Sequence, residues 1–445
     1  MSNYLKNDVF TPTRPARVAF VERDSVNDKL VNSLTTPGKQ IVVYGHSGSG
    51  KTTLLLNKLH QLYECHIVTR CMKGVKFEQI ILDAFDQLSP YYTTERTQAL
   101  KITSSLDIGG AYAAIQAKLT NAVITEAQQK ETRILPPQLT PQALGRFLGA
   151  TGCCWVIEDF HKVDESEKAK LSQLMKVFMD LSDEFPDLKI VALGAVDTAR
   201  QVVDYDPEMR NRVAEIHVGL MTEKEISEII SKGEAALNIE FGKDIKKLIS
   251  TYSNGVASVC HHICLNMCGA AGVIETIEGP TVRLNQSHFE RAVKLYVEEA
   301  SDSIKSSFDK ALKQRRKTKF DNATLLLEAL SKFGDTGASR IEIQKKINAE
   351  HPTYPEANLR SILQKSLTEE YGAVVRYDSN SGRYSFSDPI YRAFALAHFR
   401  DKSKPATSVS QDDFEQLLTL LTNELRRQLP GRFTIAIGAK RPADT

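Results

Sequence analysis

Two hydrophobic periods divide this chain of 445 residues. In the first half, short unbroken apolar runs recur: Ile41-Val42-Val43-Tyr44, Cys65-His66-Ile67-Val68-Thr69, Cys153 to Ile157, and Leu188 to Val196. Runs of this length without alternation are what strands buried on both faces look like. Stretches of helical period separate them, at 54–59, 77–88, 141–148 and 165–181. A short strand, Glu215-Ile216-His217-Val218, closes the series. Strands alternating with helices predict an α/β domain around a parallel sheet.

After residue 218 the pattern turns helical. Thr222 as N-cap with Glu225 three residues on is a capping box, predicting a helix to about Ala236. Further helices are expected at 244–252, stopped by Ser253-Asn254-Gly255, then at 256–271 and 287–300. Helices at 323–332, 340–349 and 354–370 precede two short strands, 373–377 and 383–386, joined by the turn Ser379-Asn380-Ser381-Gly382. Three helices and a hairpin in that order predict a winged helix. Beyond a linker at 403–408, Phe414, Leu417, Leu418, Leu421 and Leu425 give residues 412–429 an apolar helical face, and 433–437 reads as a strand. The domain plan is therefore 1–218 with a poorly patterned insertion at about 90–135, a helical lid at 219–300, a connector and winged helix at 301–400, and a linker with amphipathic tail at 401–445.

One stretch carries specific chemistry. Gly45-His46-Ser47-Gly48-Ser49-Gly50-Lys51-Thr52 follows the first strand and opens into a helix at Thr53. This is G-x-x-x-x-G-K-[ST] in its required strand–turn–helix context. Glycines let the backbone curl round phosphate oxygens while helix-start N–H groups form an anion cradle. Lys51 is expected to reach the β- and γ-phosphates of ATP, and Thr52 to sit on Mg²⁺. Downstream, Glu158-Asp159 end a buried strand. Glu158 is the expected metal acid and Asp159 the group that orients or deprotonates the attacking water. Their order reverses the common Asp-Glu, which predicts slow turnover.

Secondary candidates are weaker. Arg23 could pack over a nucleotide base, and Asp197 or Thr198 could sense the γ-phosphate. Arg212, then Arg210, could reach a neighbouring subunit's γ-phosphate. Cys260, His261, His262, Cys264 and Cys268 share one helix, which cannot surround a tetrahedral ion, so core packing is expected. The run Lys310 to Lys319 could touch phosphates or be a solvated connector.

Composition narrows the class little further. Apolar residues make up 42%, charged residues 25%, and the formal net charge is +2, ordinary for a soluble globular chain. Seven cysteines without repeated spacing read as reduced thiols of a cytoplasmic protein. No signal peptide is visible and no apolar run approaches the ~20 residues a membrane helix needs. No membrane partner is expected.

The order of P-loop, strand-end acids, later strand with following arginine, helical lid and winged helix resembles the AAA+ and STAND ATPases. More narrowly it is similar to the prokaryotic branch near origin-recognition-type initiators and archaeal-type STAND ATPases. The resemblance implies nucleotide-dependent assembly into a homo-oligomer and a separate effector or regulatory protein. Initiator-type relatives place an arginine on the lid helix after a glycine turn; after Gly255 this chain offers His261 and His262. Three functions stay open. One is a nucleotide-dependent switch, with defence or signalling as a setting. Another is a DNA-loading or DNA-remodelling ATPase with the winged helix on DNA, read by Glu356, Asn358, Arg360, Gln364, Lys365, Arg376 and Arg383. The third is a nucleotide-binding scaffold without turnover.

Overall fold

The computed structural model describes residues 3–63, 65–88, 139–195, 211–300, 302–313, 319–334, 336–378 and 381–400. The expected insertion at 90–135, Asp197, Thr198, Arg210, residues 314–318 of the basic run and the amphipathic tail lie outside the described residues. The chain divides into two units, Met1–His398 and Phe399–Thr445. The account below concerns the first.

Five strands form the central sheet: β1 (Gln40–Tyr44), β2 (Cys65–Arg70), β3 (Cys153–Glu158), β4 (Ile190–Gly194) and β5 (Val213–His217). Their spatial order is β2-β3-β4-β1-β5 and every pairing is parallel. Alternation across the pleat supplies two cores. Ile41, Val43, Cys154 and Val156 face Leu30, Leu34, Leu54, Leu55 and Leu59 on helices Asp24–Thr35 and Lys51–Leu62. Val42, Trp155 and Ile157 face the other way, with Leu144, Leu148, Leu174 and Phe178 from helices Pro141–Thr151 and Glu165–Asp180. Trp155 is fully buried and donates its indole N–H to Thr69 Oγ1 on the neighbouring strand at 3.1 Å. That satisfies the one polar atom of the largest core side chain.

Cys65 and Cys153 begin β2 and β3, pair in register with Cα atoms 4.6 Å apart, and are joined by a disulfide. The expectation of seven reduced thiols is corrected for this pair. Adjacent positions on neighbouring strands lie within disulfide reach; the sequence separation of 88 hid that proximity. Cys260, Cys264 and Cys268 are buried in an apolar core, as the helix pattern predicts, and no metal-ligating cluster occurs among the described residues. No described helix is long and apolar enough to cross a membrane.

Residues 219–300 contain helices Glu223–Leu237, Lys243–Ser253, Ala257–Ala270 and Gln286–Glu299. The Thr222–Glu225 capping box is present in both directions. Two strands that no periodicity predicts, β6 (Ile239–Phe241) and β7 (Val282–Leu284), pair in parallel. The N-terminus joins this layer as well. Lys6 donates its backbone N–H to Ile274, Thr276 donates to Tyr4, and Phe10 is fully buried among the helices. A segment that reads as a polar lead-in is thus part of the helical core.

The C-terminal region has helices Asp302–Leu312, Asn322–Ser331, Arg340–Glu350 and Glu356–Ser366, then the antiparallel hairpin β8 (Val375–Asp378) and β9 (Arg383–Phe386). A last helix, Pro389–His398, has no counterpart in the sequence reading. Its Ala393 and Ala397 enter the helical core of residues 219–300, while Phe394 stacks edge-on against Phe308, 4.7 Å between centroids. Arg392 donates to Asn254 Oδ1 and, at 3.2 Å, to the carbonyl of Ser331.

Gly233 gives this packing a direct check. A Cβ there would meet the buried ring of Phe10 at 2.1 Å, and that ring has nowhere to move. Alanine normally improves a helix interior by about 1 kcal/mol over glycine. Here overpacking of ~1–3 kcal/mol should win, so Gly233→Ala is expected to lower the thermal midpoint; a raised midpoint would refute the Phe10 placement.

Candidate functional site

Because all five strands run the same way, their C-terminal ends converge on one edge, the edge where ligands bind in open α/β sheets. A cavity of about 920 Å³ lies there, lined by the whole of Gly45–Leu54. The glycines are required by contact. A Cβ on Gly45 (φ +154°) would sit 2.2 Å from the carbonyl oxygen of Val218; one on Gly48 (φ +72°) would sit 2.3 Å from Ser258 Oγ. Gly50 is the N-cap of helix Lys51–Leu62 at φ +93°, with open space around it. The first N–H groups of that helix, from Lys51, Thr52 and Thr53, lack intrahelical partners by position and present a positive dipole end. Ser49 Oγ is buried without a hydrogen-bond partner. These features fit phosphate oxygens.

Lys51 Nζ donates to the carbonyls of Gly45 and His46 at 2.9 and 2.8 Å. Burial pushes its pKa down, while Asp159 and Asp388 pull it back up. Glu158, at the end of β3, accepts from Arg70 Nε at 3.1 Å. Asp159 follows in the left-handed region, φ 57°, and its carboxylate pairs with Lys162 at 2.7 Å. Thr52 and Glu158 both line the cavity. A hydroxyl and a carboxylate suit a hard divalent cation such as Mg²⁺, which uses few protein oxygens and completes its shell with phosphate and water.

The far end of the cavity is more apolar, formed by Ala16, Ala19, Val21, Met221, Ile229 and Ala257, with Thr11 and His261 among them. The Thr11 N–H donates to His261 Nδ1 at 3.2 Å, which leaves the ring proton on Nε2. Burial lowers the His261 pKa to about 4, so the ring is neutral. Arg23 lines the cavity, but its guanidinium is engaged by Glu225 (3.0 Å) and the carbonyls of Gly219 and Leu220 (2.9 and 3.1 Å). It ties the first helix of the 219–300 layer to the N-terminal segment.

Arg212 is not among the cavity residues. Its carbonyl accepts from Gln40 at the N-terminal end of β1, and its side chain pairs with Asp180 at 3.3 Å, on the opposite edge of the sheet. Any action on a phosphate would have to be on another subunit's. Conversely, the cavity gathers residues that sequence reasoning passed over: Arg70, His161, Lys162 and, from the C-terminal region, Ser387 and Asp388; Arg376, expected on DNA, lines it too. Arg70, His161 and Lys162 were findable, since each lies at or just past the C-terminal end of a strand. Nothing local marks Asp388, which arrives through the fold.

The glycine contacts predict an order of damage. Gly45→Ala, which presses on backbone, should cost several times more stability than Gly50→Ala, which meets only positive-φ strain of about 1–2 kcal/mol; chemical denaturation of both variants checks this, and equal costs would refute it. His261 predicts a pH effect. Its folded-state pKa lies below its ordinary 6.5, so it contributes stability that is fully present above that pH and is lost as the pH falls through about 4. That contribution is about 3 kcal/mol. His261→Asn, whose amide oxygen can still accept from Thr11, should flatten the fall of the thermal midpoint across that window; an unchanged slope would assign the titration elsewhere.

No protein-family model and no curated protein matches this chain. Solved structures do resemble it. The Walker-type ATPase PABY2304 of Pyrococcus abyssi superposes with a TM-score of 0.50 at 16% identity, over 87% of this chain and 99% of that one. Cdc6p of Pyrobaculum aerophilum gives 0.42 at 14% identity, over 89% and 99% of the two chains. The ORC2 protein of Aeropyrum pernix, solved as ADPNP–ADP complexes, gives 0.45 at 9% identity, over 89% and 98%. With the five-stranded parallel sheet and the glycine loop at its edge, the first of these likenesses shows the fold alone: the parallel α/β fold of the P-loop NTPases.

Proposed function

We propose that the protein binds ATP with Mg²⁺ and hydrolyses it slowly, as a switch whose C-terminal winged helix responds to the nucleotide. One observation carries this reading: Arg376, Ser387 and Asp388 line the same cavity as the P-loop. A ligand in that cavity meets the C-terminal region directly, so its binding free energy can bias that region's position.

The geometry supports these roles. Gly45–Thr53 cradle the phosphates, Lys51 neutralises them, and Thr52 with Glu158 holds the cation. Mg²⁺ supplies Lewis-acid neutralisation of the charge that develops between the phosphates. Asp159 orients the attacking water. Its carboxylate is held by Lys162 and has to leave that pair to meet the water, which is consistent with slow turnover. Arg212 acts only in trans, in a homo-oligomer, and the output passes to a separate effector protein, in defence or signalling.

The DNA reading is less supported. Arg383, one of the two hairpin arginines, is engaged by the carbonyls of Thr336 and Gly337 and by Glu342. Arg376 faces the cavity, and Arg360 on the candidate recognition helix pairs with Glu356. Among the described residues these three arginines are engaged within the chain or line the cavity, which leaves them less able to meet phosphates of a duplex. DNA-stimulated hydrolysis with a steep salt dependence would restore that reading, and absence of any hydrolysis would favour the scaffold.

Asp388 provides the test. Its negative charge lies in the field of Lys51, so it competes with a phosphate for the same cation. Asp388→Asn is expected to tighten ATP binding by about threefold to tenfold and to shift ATP-dependent assembly, seen by sedimentation, to lower ATP concentration. Unchanged affinity and assembly would sink the switch.

A further inference from the structure

The end of β4, Gly194 and Ala195, lines the cavity with small residues that carry no side-chain donor. Polar reading of a terminal phosphate from that strand end is therefore missing among the described residues. The neighbouring strand offers a replacement. β3 pairs with β4, and the turn Phe160–Lys162 that follows β3 brings His161 into the same cavity, beside Asp159 and Lys51. The His161 Nδ1 is sealed from water and has no hydrogen-bond partner. A bare lone pair is less costly to bury than an orphaned N–H, so the ring proton belongs on Nε2, the one nitrogen available to the cavity. Burial, with Lys162, Lys51 and Lys168 nearby, lowers the ring's pKa against the opposing pull of Asp159, so the imidazole is neutral.

We propose that His161, through Nε2–H, is the hydrogen-bond donor that distinguishes a bound nucleoside triphosphate from the diphosphate. This assignment rests on the nucleotide reading of the cavity. A neutral donor between the P-loop lysine and the second acid contacts an oxygen that only the triphosphate supplies. Its hydrogen bond to a charged oxygen is of the stronger kind, enough for about a tenfold effect.

The test is calorimetric titration of ATP and of ADP, each with Mg²⁺, into wild type, His161→Ala, His161→Gln and Lys51→Ala. His161→Ala should lose about tenfold of the preference for ATP over ADP while ADP affinity stays level. His161→Gln, which keeps an N–H donor, should recover part of it. An unchanged ATP-to-ADP ratio in His161→Ala overturns the proposal but leaves the nucleotide reading standing. A wild type that binds neither nucleotide overturns both. Should the alanine variant fail to fold, nitrogen-15 NMR of the wild-type imidazole decides. A shift of His161 Nε2 with ATP and not with ADP supports the assignment, and the same spectrum with both refutes it.

Discussion

The P-loop backbone is the surface on which the rest of the molecule leans. At Gly45 it touches the carbonyl of Val218, and at Gly48 it touches Ser258 and Val256. The Ser258 N–H also donates to the Gly48 carbonyl at 3.3 Å. Helix Ala257–Ala270 therefore begins in contact with the glycine loop. Just before it, Asn254 and Gly255 are both in the left-handed region, and Asn254 bonds Arg392 and the carbonyl of Pro389. From loop to helical layer to last helix, the contacts are direct. Close-packed interfaces of this kind move as discrete arrangements rather than by gradual deformation.

The second constraint is charge. The phosphate end of the cavity holds Lys51, Arg70 and Lys162 against Glu158, Asp159 and Asp388. Each acid has a cation beside it: Glu158 takes Arg70, Asp159 takes Lys162, and Asp388 lies in the field of Lys51. A polyphosphate entering this cluster competes with all three carboxylates for the same cations. Such competition makes the net binding energy smaller than the number of cations suggests, and it couples binding to the position of every acid displaced. Of the three, Asp388 belongs to the C-terminal region, so that coupling extends beyond the α/β sheet domain.

The fold was largely legible in the sequence because parallel strands buried on both faces must read as unbroken apolar runs. Four of the five strands announced themselves that way, and helix 77–88 was placed to the residue. The P-loop was legible because its glycines are held there by close contact at Gly45 and Gly48 and by positive φ at Gly50. What stayed hidden was long-range. Phe10 looks like a lone aromatic in a polar lead-in, yet it fills a hole opposite Gly233. β6 and β7 are too short to show a period. Arg23 sits where sequence reasoning looks for a base-stacking arginine, but its partners Gly219, Leu220 and Glu225 lie some two hundred positions away. Asp388 joins the site only because the hairpin folds back on it.

The reversed acids acquire a physical meaning in this setting. At the end of β3 the first acid continues the strand direction and the second turns sharply, at φ 57°. Aspartate tolerates the left-handed region better than glutamate, since its short side chain bonds locally. With the turn assigned to Asp159, its carboxylate can fold onto Lys162 three residues ahead. Glu158, with the longer reach, remains on the strand facing the cavity beside Arg70. The order Glu-Asp thus follows from backbone conformation: the residue that must turn is the one that can, and the residue that must extend is the longer. That same turn carries His161 to the cavity, so the geometry that restrains Asp159 also delivers the imidazole beside it.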